Sequence, residues 1–227
     1  MSAHLLQAAR IRVTFDGRTA LDGVDLSVRT GEVIGVTGAS GSGKTTLLRV
    51  LAGLHAPDAG AVLYDGEAHR PTGSVALVAQ HPRQVCNPRW TLRRIVTEPA
   101  AIRRAPADPE VLAERVGLDE ALLDRHPGQV SDGQLQRACL ARVLVQRPRF
   151  VLCDEPTAML DPIAAADVVA LLRGLARDAG LVVVSHDAAV VEALSDRVVR
   201  LSSGRLTSTE GPGVADRHRG RAIRVGP

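Results

Sequence analysis

The chain has 227 residues, 45% of them hydrophobic and 23% charged, with a net charge of +3. That composition supplies ample apolar material for a folded core, yet no apolar run approaches the roughly 18–20 residues needed to cross a bilayer. Aromatics at 2% are too few for the stacking platforms of single-stranded nucleic-acid binders, so no nucleic-acid partner is expected. Cys86, Cys139 and Cys153 are odd in number and lack short paired spacings. They indicate neither a disulfide framework nor a zinc site, and read as small semi-buried side chains in a reducing compartment. No charged leader followed by a long apolar stretch stands at the N-terminus, so no signal peptide is expected.

Residues 10–36 alternate polar and apolar positions, broken at Asp16-Gly17 and Thr30-Gly31, and predict antiparallel strands leading into a short buried strand, Val33–Thr37. A glycine-rich loop follows, then a helix over Thr45–Leu54 with Leu47, Leu48, Leu51 and Leu54 on one face and Gly53 and Pro57 at its end. Ala61–Tyr64 and Val75–Ala79 read as strands around the turn Asp65-Gly66. From about 83 to 146 Ala, Leu, Arg and Glu dominate between proline breaks at Pro88, Pro99, Pro106, Pro109 and Pro127, which predicts a helical lobe inserted into an α/β core. The core resumes with strand Phe150–Asp154, helix Pro162–Ala179, strand Leu181–Ser185, helix Ala188–Leu194, strand Arg197–Leu201 and a turn at Ser203-Gly204. Alternating strands and helices imply a mainly parallel sheet covered on both faces. One domain over 1–206 is expected, with a loose Arg-rich tail over 207–227.

Lys44 is the single lysine; every other basic residue is an arginine. It stands in Gly38-Ala39-Ser40-Gly41-Ser42-Gly43-Lys44-Thr45, with Thr46 next, which fits the phosphate-cradling pattern G-x-x-x-x-G-K-[ST]. A compact ammonium on a flexible stem fits beside two phosphate groups where a planar guanidinium does not. The loop lies after a predicted strand and opens a helix, so backbone N–H groups and the helix terminus face the anion. This predicts binding of a nucleoside triphosphate, with Lys44 on its β- and γ-phosphates and the Thr45 hydroxyl on Mg²⁺. Phe150–Cys153 is an apolar strand ending in adjacent carboxylates: Asp154 is placed to help hold Mg²⁺ and Glu155 to polarise an attacking water as general base. Further on, Val130-Ser131-Asp132-Gly133-Gln134-Leu135-Gln136-Arg137 precedes a predicted helix, Gln134–Val145, with Ser131 as its N-cap and a second anion site at its exposed amides. Two anion sites far apart in one domain can meet one γ-phosphate only when two copies face each other.

In order and approximate spacing, the motifs at 38–45, 80, 130–137, 150–155, 157–161 and 186 resemble the nucleotide-binding subunits of ABC transporters over roughly residues 10–206. The resemblance implies a P-loop NTPase core, a mainly parallel sheet plus an antiparallel β subdomain, with the helical subdomain inserted. It also implies a head-to-tail dimer with a second ATPase subunit, in which ATP lies between the glycine loop of one copy and Ser131, Gly133 and Gln134 of the other. Gln80 resembles the loop glutamine that senses Mg²⁺ and water and links to the membrane subunits. His186 resembles the switch histidine at the γ-phosphate, Asp161 the aspartate that couples the two sites, and Phe15 the aromatic that stacks on adenine. Val130 and Asp132 depart from the usual Leu-Ser-Gly-Gly-Gln; Asp132 puts a carboxylate near a phosphate site and is expected to point outward.

Gln80-His-Pro-Arg-Gln-Val-Cys-Asn87-Pro88-Arg89-Trp90-Thr91-Leu92 is similar to the Q-D-P-x-x-x-x-N-P-R-x-T-[VL] segment of the peptide and nickel importer branch. That implies an ATPase at the cytoplasmic face of the cell membrane, bound to two transmembrane permease subunits and served by an extracytoplasmic solute-binding protein. The second ATPase subunit is left as identical or different. An accessory ATPase of phosphonate metabolism and an exporter subunit stay open as alternatives at this point.

Overall fold

The computed structural model describes residues 3–208 apart from 159; the expected tail lies, from 209 onward, outside the described residues. The chain opens with a hairpin, β1 (Leu5–Phe15) and β2 (Arg18–Arg29), paired from Leu5↔Arg29 to Phe15↔Arg18. Asp16 and Gly17, at φ 46° and 77°, form the two-residue turn whose twist matches the strands it joins. Strand β1 starts at Leu5, earlier than the alternation from residue 10 suggests. The reason is a bulge: buried positions run Leu6, Ala8 and then Ile11, Val13, and the register shifts between Ala8 and Ile11 around Arg10 at φ 48°. One inserted residue moves the apolar face from even to odd positions and masks the period. Strand β4 (Ala59–Tyr64) pairs on the other side of β1 and completes a three-stranded antiparallel sheet in the order β2-β1-β4.

The second sheet holds the remaining strands: β3 (Val33–Thr37), β5 (Val75–Val78), β6 (Phe150–Asp154), β7 (Gly180–Val184), β8 (Arg197–Ser202) and β9 (Arg205–Ser208), in the order β5-β6-β7-β3-β8-β9. All pairings are parallel except β8 with β9. Every residue of β6 and β7 is buried, the expected pattern for parallel strands covered on both faces. On one face Leu152, Val182 and Val184 pack with Leu47, Leu48 and Leu51 of helix α1 (Lys44–Leu51) and with the antiparallel sheet. On the other, Val151, Cys153, Leu181 and Val183 pack with helices from the rest of the chain. The molecule is thus an α/β core with a mainly parallel sheet and an antiparallel sheet stacked on one side.

Between β5 and β6 the chain forms helices α2 (Leu92–Ile102), α3 (Pro109–Arg115) and α4 (Asp132–Gln146), with short 3₁₀ turns between them. Pro99 does not break the chain as its residue type suggests. It sits inside α2 on the buried side, where packing of Leu92, Ile95, Val96 and Ala100 outweighs one absent backbone donor. Helix α1 ends at Leu51, so Leu54 leaves the predicted face and is 65% exposed. Helix α5 (Pro162–Leu175) ends four residues short of the predicted Ala179, and α6 (Ala188–Leu194) matches its prediction. Strand β9 follows the Ser203-Gly204 turn and closes the sheet edge. The sulfurs of Cys86 and Cys139 meet at 3.5 Å as free buried thiols, although 53 residues separate them.

Helix α6 lies so close to β3 that a Cβ on Gly35 would stand 2.5 Å from both Ser195 Oγ and Val191 Cγ1. The missing side chain sets that spacing. Gly35→Ala is expected to destabilise the fold by about 1–3 kcal/mol, read as a lower midpoint in urea denaturation with an unchanged slope.

Candidate nucleotide site

Four neighbouring strands, β5, β6, β7 and β3, end at the same edge of the parallel sheet. Their C-terminal continuations deliver Gln80, Asp154 with Glu155, His186, and the loop 38–43, in that spatial order. Ligands gather at this edge in open α/β sheets because the strand ends leave a crevice there. The result is a cleft of about 510 Å³, within the roughly 300–1,000 Å³ of small-molecule sites.

The loop is shaped by its glycines. A Cβ on Gly43, which caps α1 at φ 106°, would lie 2.4 Å from the Ala20 carbonyl; one on Gly38 would lie 2.2 Å from that of Leu201. The backbone is therefore clamped between β2 and β8, and only glycine fits at either clamp. No side chain caps the first turn of α1, so its leading amides are left for an incoming acceptor. Lys44 Nζ donates to the carbonyls of Gly38 and Ala39 at 2.8 and 2.9 Å, curled across the loop. Ser42 Oγ is buried without a hydrogen-bond partner, an orphaned polar atom beneath the same cradle. Gly38, Ser40, Gly41, Lys44, Thr45 and Thr46 line the cleft, whereas Ala39 and Ser42 shape it from within the loop.

Asp154 and Glu155 are both buried, at 6% and 8% exposure. Burial pushes the Asp154 carboxyl above its ordinary range, and the neighbouring Glu155 carboxylate adds to the rise; the Thr45 hydroxyl and Lys44 oppose it. Glu155 adopts φ 49°, a left-handed conformation that side-chain-bearing residues avoid and that collects at functional sites. Its amide donates to the Val184 carbonyl at 2.9 Å, fixing that turn to β7. Glu155 Oε2 lies 2.9 Å from His186 Nδ1. A carboxylate only accepts, so Nδ1 carries the proton and Nε2 faces away from Glu155. The imidazole itself is 73% exposed, while the Glu155 side chain is 10% exposed.

Phe15, at the end of β1, and Ala20 of β2 form the opposite wall. Phe15 is 46% exposed, and its ring centroid is 5.0 Å from that of His55. His55 and Ala20 carry no motif signal and were not predicted; only the folding of the antiparallel sheet against α1 brings them here. Tyr64 assists by donating its hydroxyl to the Leu51 carbonyl at 2.7 Å.

The other predicted residues stand apart: Ser131, Gly133, Gln134 and Asp161 do not line this cleft. Ser131 is the N-cap of α4 in a capping box, accepting from Gln134 N while Gln134 Oε1 accepts from Ser131 N. The helix begins at Asp132, two residues before the predicted start, because that box stabilises the first turn. The Asp132 carboxylate is held by Arg83. Asp161 caps α5, and the amides of Ala164 and Ile163 hold its carboxyl below the usual range.

A family model described as ABC transporter matches residues 21–158, an interval that contains the glycine loop, Gln80, the 130–137 segment and Asp154-Glu155. The chain belongs to the ABC transporter family. Among curated relatives of this ABC chain, the methionine import ATP-binding protein MetN of Caulobacter vibrioides is 40% identical over 207 residues, 84% of this chain and 61% of the relative. The nickel import ATP-binding protein NikE of Escherichia coli is 34% identical over 210 residues, 85% of this chain and 78% of the relative. The ABC chain thus spans less than two thirds of the methionine relative's length. Among solved structures, a dimeric bacterial ABC transporter cassette, MJ0796, superposes with a TM-score of 0.81 at 25% identity, covering 91% of this chain and 99% of that one. The same cassette in a post-hydrolysis state bound to ADP and Pi gives 0.79 at 24% identity, with the same coverage. The fold is that of ABC ATPase cassettes.

A buried carboxyl with a raised pKa opposes folding wherever it must be ionised. Its cost is fully present above the folded-state pKa and fades as pH falls through the carboxylate range. Asp154→Asn is therefore expected to raise the thermal midpoint of the nucleotide-free protein at pH 7, by an increment that shrinks on acidification, as differential scanning fluorimetry across pH would record.

Proposed function

We propose that this chain is the ATP-binding and ATP-hydrolysing subunit of an ABC importer, working as a head-to-tail pair of cassettes with two transmembrane permease subunits. The observation that carries this reading is the division of parts: one cleft holds Lys44, Thr45, Asp154, Glu155 and His186, while the N-terminus of α4 lies outside it. No helix among the described residues is long and apolar enough to cross a membrane, and the proposal gives the membrane path to the permease subunits. The import direction and a small solute as cargo, such as a peptide, an amino acid or nickel, rest on the relatives' methionine and nickel import and on the importer-like 80–92 segment. An extracytoplasmic solute-binding protein completes such a system.

In this reading the amides of the loop and of the α1 N-terminus hold the phosphates, and Lys44 exchanges the carbonyls of Gly38 and Ala39 for phosphate oxygens. Phe15, backed by His55, stacks on the adenine. Thr45, Asp154 and Gln80 line the cleft and offer hard oxygen donors, a set that would suit Mg²⁺. Bound there, Mg²⁺ would neutralise charge on the terminal phosphates. Glu155, fixed by its strained backbone and by His186, takes the proton of the attacking water on its carboxylate as the water oxygen bonds the γ-phosphorus and ADP leaves with the bridging oxygen. His186 holds that carboxylate by Nδ1–H, and it meets the terminal phosphate as a donor only when Nε2 carries a proton as well. Ser131, Gly133 and Gln134 close over the nucleotide carried by the facing subunit, and Asp161 lies at the seam between the two sites.

Glu155→Gln removes the proton acceptor and keeps the shape. It is expected to retain ATP binding, measured with a fluorescent analogue, while lowering turnover by about 10²-fold or more; near-wild-type hydrolysis would remove Glu155 from this role. Lys44→Ala is expected to weaken ATP binding by about tenfold or more, the scale of a lost charge-assisted contact. Because the site is split, specific activity should rise with enzyme concentration, and activity indifferent to dilution would defeat the facing-subunit arrangement.

A further inference from the structure

Arg83 sits in the 3₁₀ turn Pro82–Gln84, on the chain just after Gln80, with Pro82 buried beneath it. Its guanidinium donates in three directions: Nε to Asp132 Oδ1 at 2.5 Å, Nη1 to the Pro127 carbonyl at 2.6 Å, and Nη2 to the Val130 carbonyl at 2.7 Å. Val130 and Asp132 are the two residues that flank Ser131. A planar fork with fixed donor directions can engage three such acceptors at once, which a lysine cannot.

The arrangement answers a charge problem. An acidic side chain in the first turn of α4 suits the helix dipole, and Asp132 occupies that turn. The same terminus presents the amides that an anion would use, and a bare carboxylate beside them repels that anion. The Arg83 and Asp132 side chains are each nearly half exposed, so their pairing contributes little to folding stability. Its effect falls on the local field and on the shape of the turn.

We infer that Arg83 is a positioning residue that neutralises Asp132 and fixes the turn Val130–Asp132, so that Ser131 can meet the nucleotide phosphate of a second subunit. The inference rests on the facing-subunit reading above. Arg83 touches neither nucleotide; it acts through Asp132 and the two carbonyls.

The test is a double-mutant cycle on ATP hydrolysis by the full chain. Arg83→Ala is expected to lower kcat about tenfold in the native background, with the affinity of the chain's own cleft for a fluorescent ATP analogue unchanged. In an Asp132→Gly background the same replacement should cost clearly less, no more than about threefold in kcat, since only the two carbonyl contacts are then lost. Arg83→Lys keeps the charge but loses the fork, and should fall between the alanine variant and the unaltered protein. An equal loss in both backgrounds, or no loss in either, overturns the inference. Should the alanine variant fail to fold, Arg83→Gln against Arg83→Lys carries the same comparison: a low Gln and a high Lys variant support the inference, and equal activities overturn it. Failure of the facing-subunit reading is distinguishable, because the unaltered protein would then show no concentration-dependent hydrolysis before any substitution is made.

Discussion

Two carboxylates, Asp154 and Glu155, are buried side by side at the mouth of the parallel sheet, and the rest of the site is arranged around that electrostatic cost. Each is given a specific partner: the Thr45 hydroxyl for Asp154, the His186 imidazole for Glu155. The N-terminus of α1 and Lys44 contribute positive potential to the same cleft. A polyphosphate alone would add negative charge to a place that already holds two. One accompanied by a divalent cation would bring its own compensation, and the oxygen donors near Asp154 fit that proposal.

The strain at Glu155 belongs to the same economy of charge and shape. Its left-handed backbone is anchored by the hydrogen bond to Val184 and by β7, whose five residues are fully enclosed. A rigid buried ladder can hold an unfavourable conformation that a surface loop would relax. The clamps on Gly38 and Gly43 apply the same logic to the phosphate loop, which is fixed by β8 and β2 before any ligand arrives.

Much of this was legible in the residues themselves, wherever the signal was local. The turn at Asp16-Gly17, the strand before the glycine loop, the apolar run ending at Asp154, and Ser131 as a helix cap are all fixed by neighbours a few positions away. What escaped depended on distant parts of the chain. The bulge at Arg10 hid the start of β1 by inverting its period, and the packing of α2 overrode Pro99. His55 against Phe15, the sulfurs of Cys86 and Cys139, and the grip of Arg83 on Asp132 join residues with no common motif. The positive φ of Glu155 had no sequence signal either, since glutamate is not a residue that favours it.

Strand order carries a consequence for how the molecule comes into being. Strand β3 bears the phosphate loop near the start of the chain, yet its sheet neighbours are β7 and β8, which end at residues 184 and 202. A polypeptide growing from a ribosome exposes the loop early and must wait for most of its length before the loop acquires flanking strands. Pairings of such long sequence separation form slowly. Competence to hold a nucleotide is therefore acquired only once β8 has been made, and a chain that stops short of it carries the motif without the pocket.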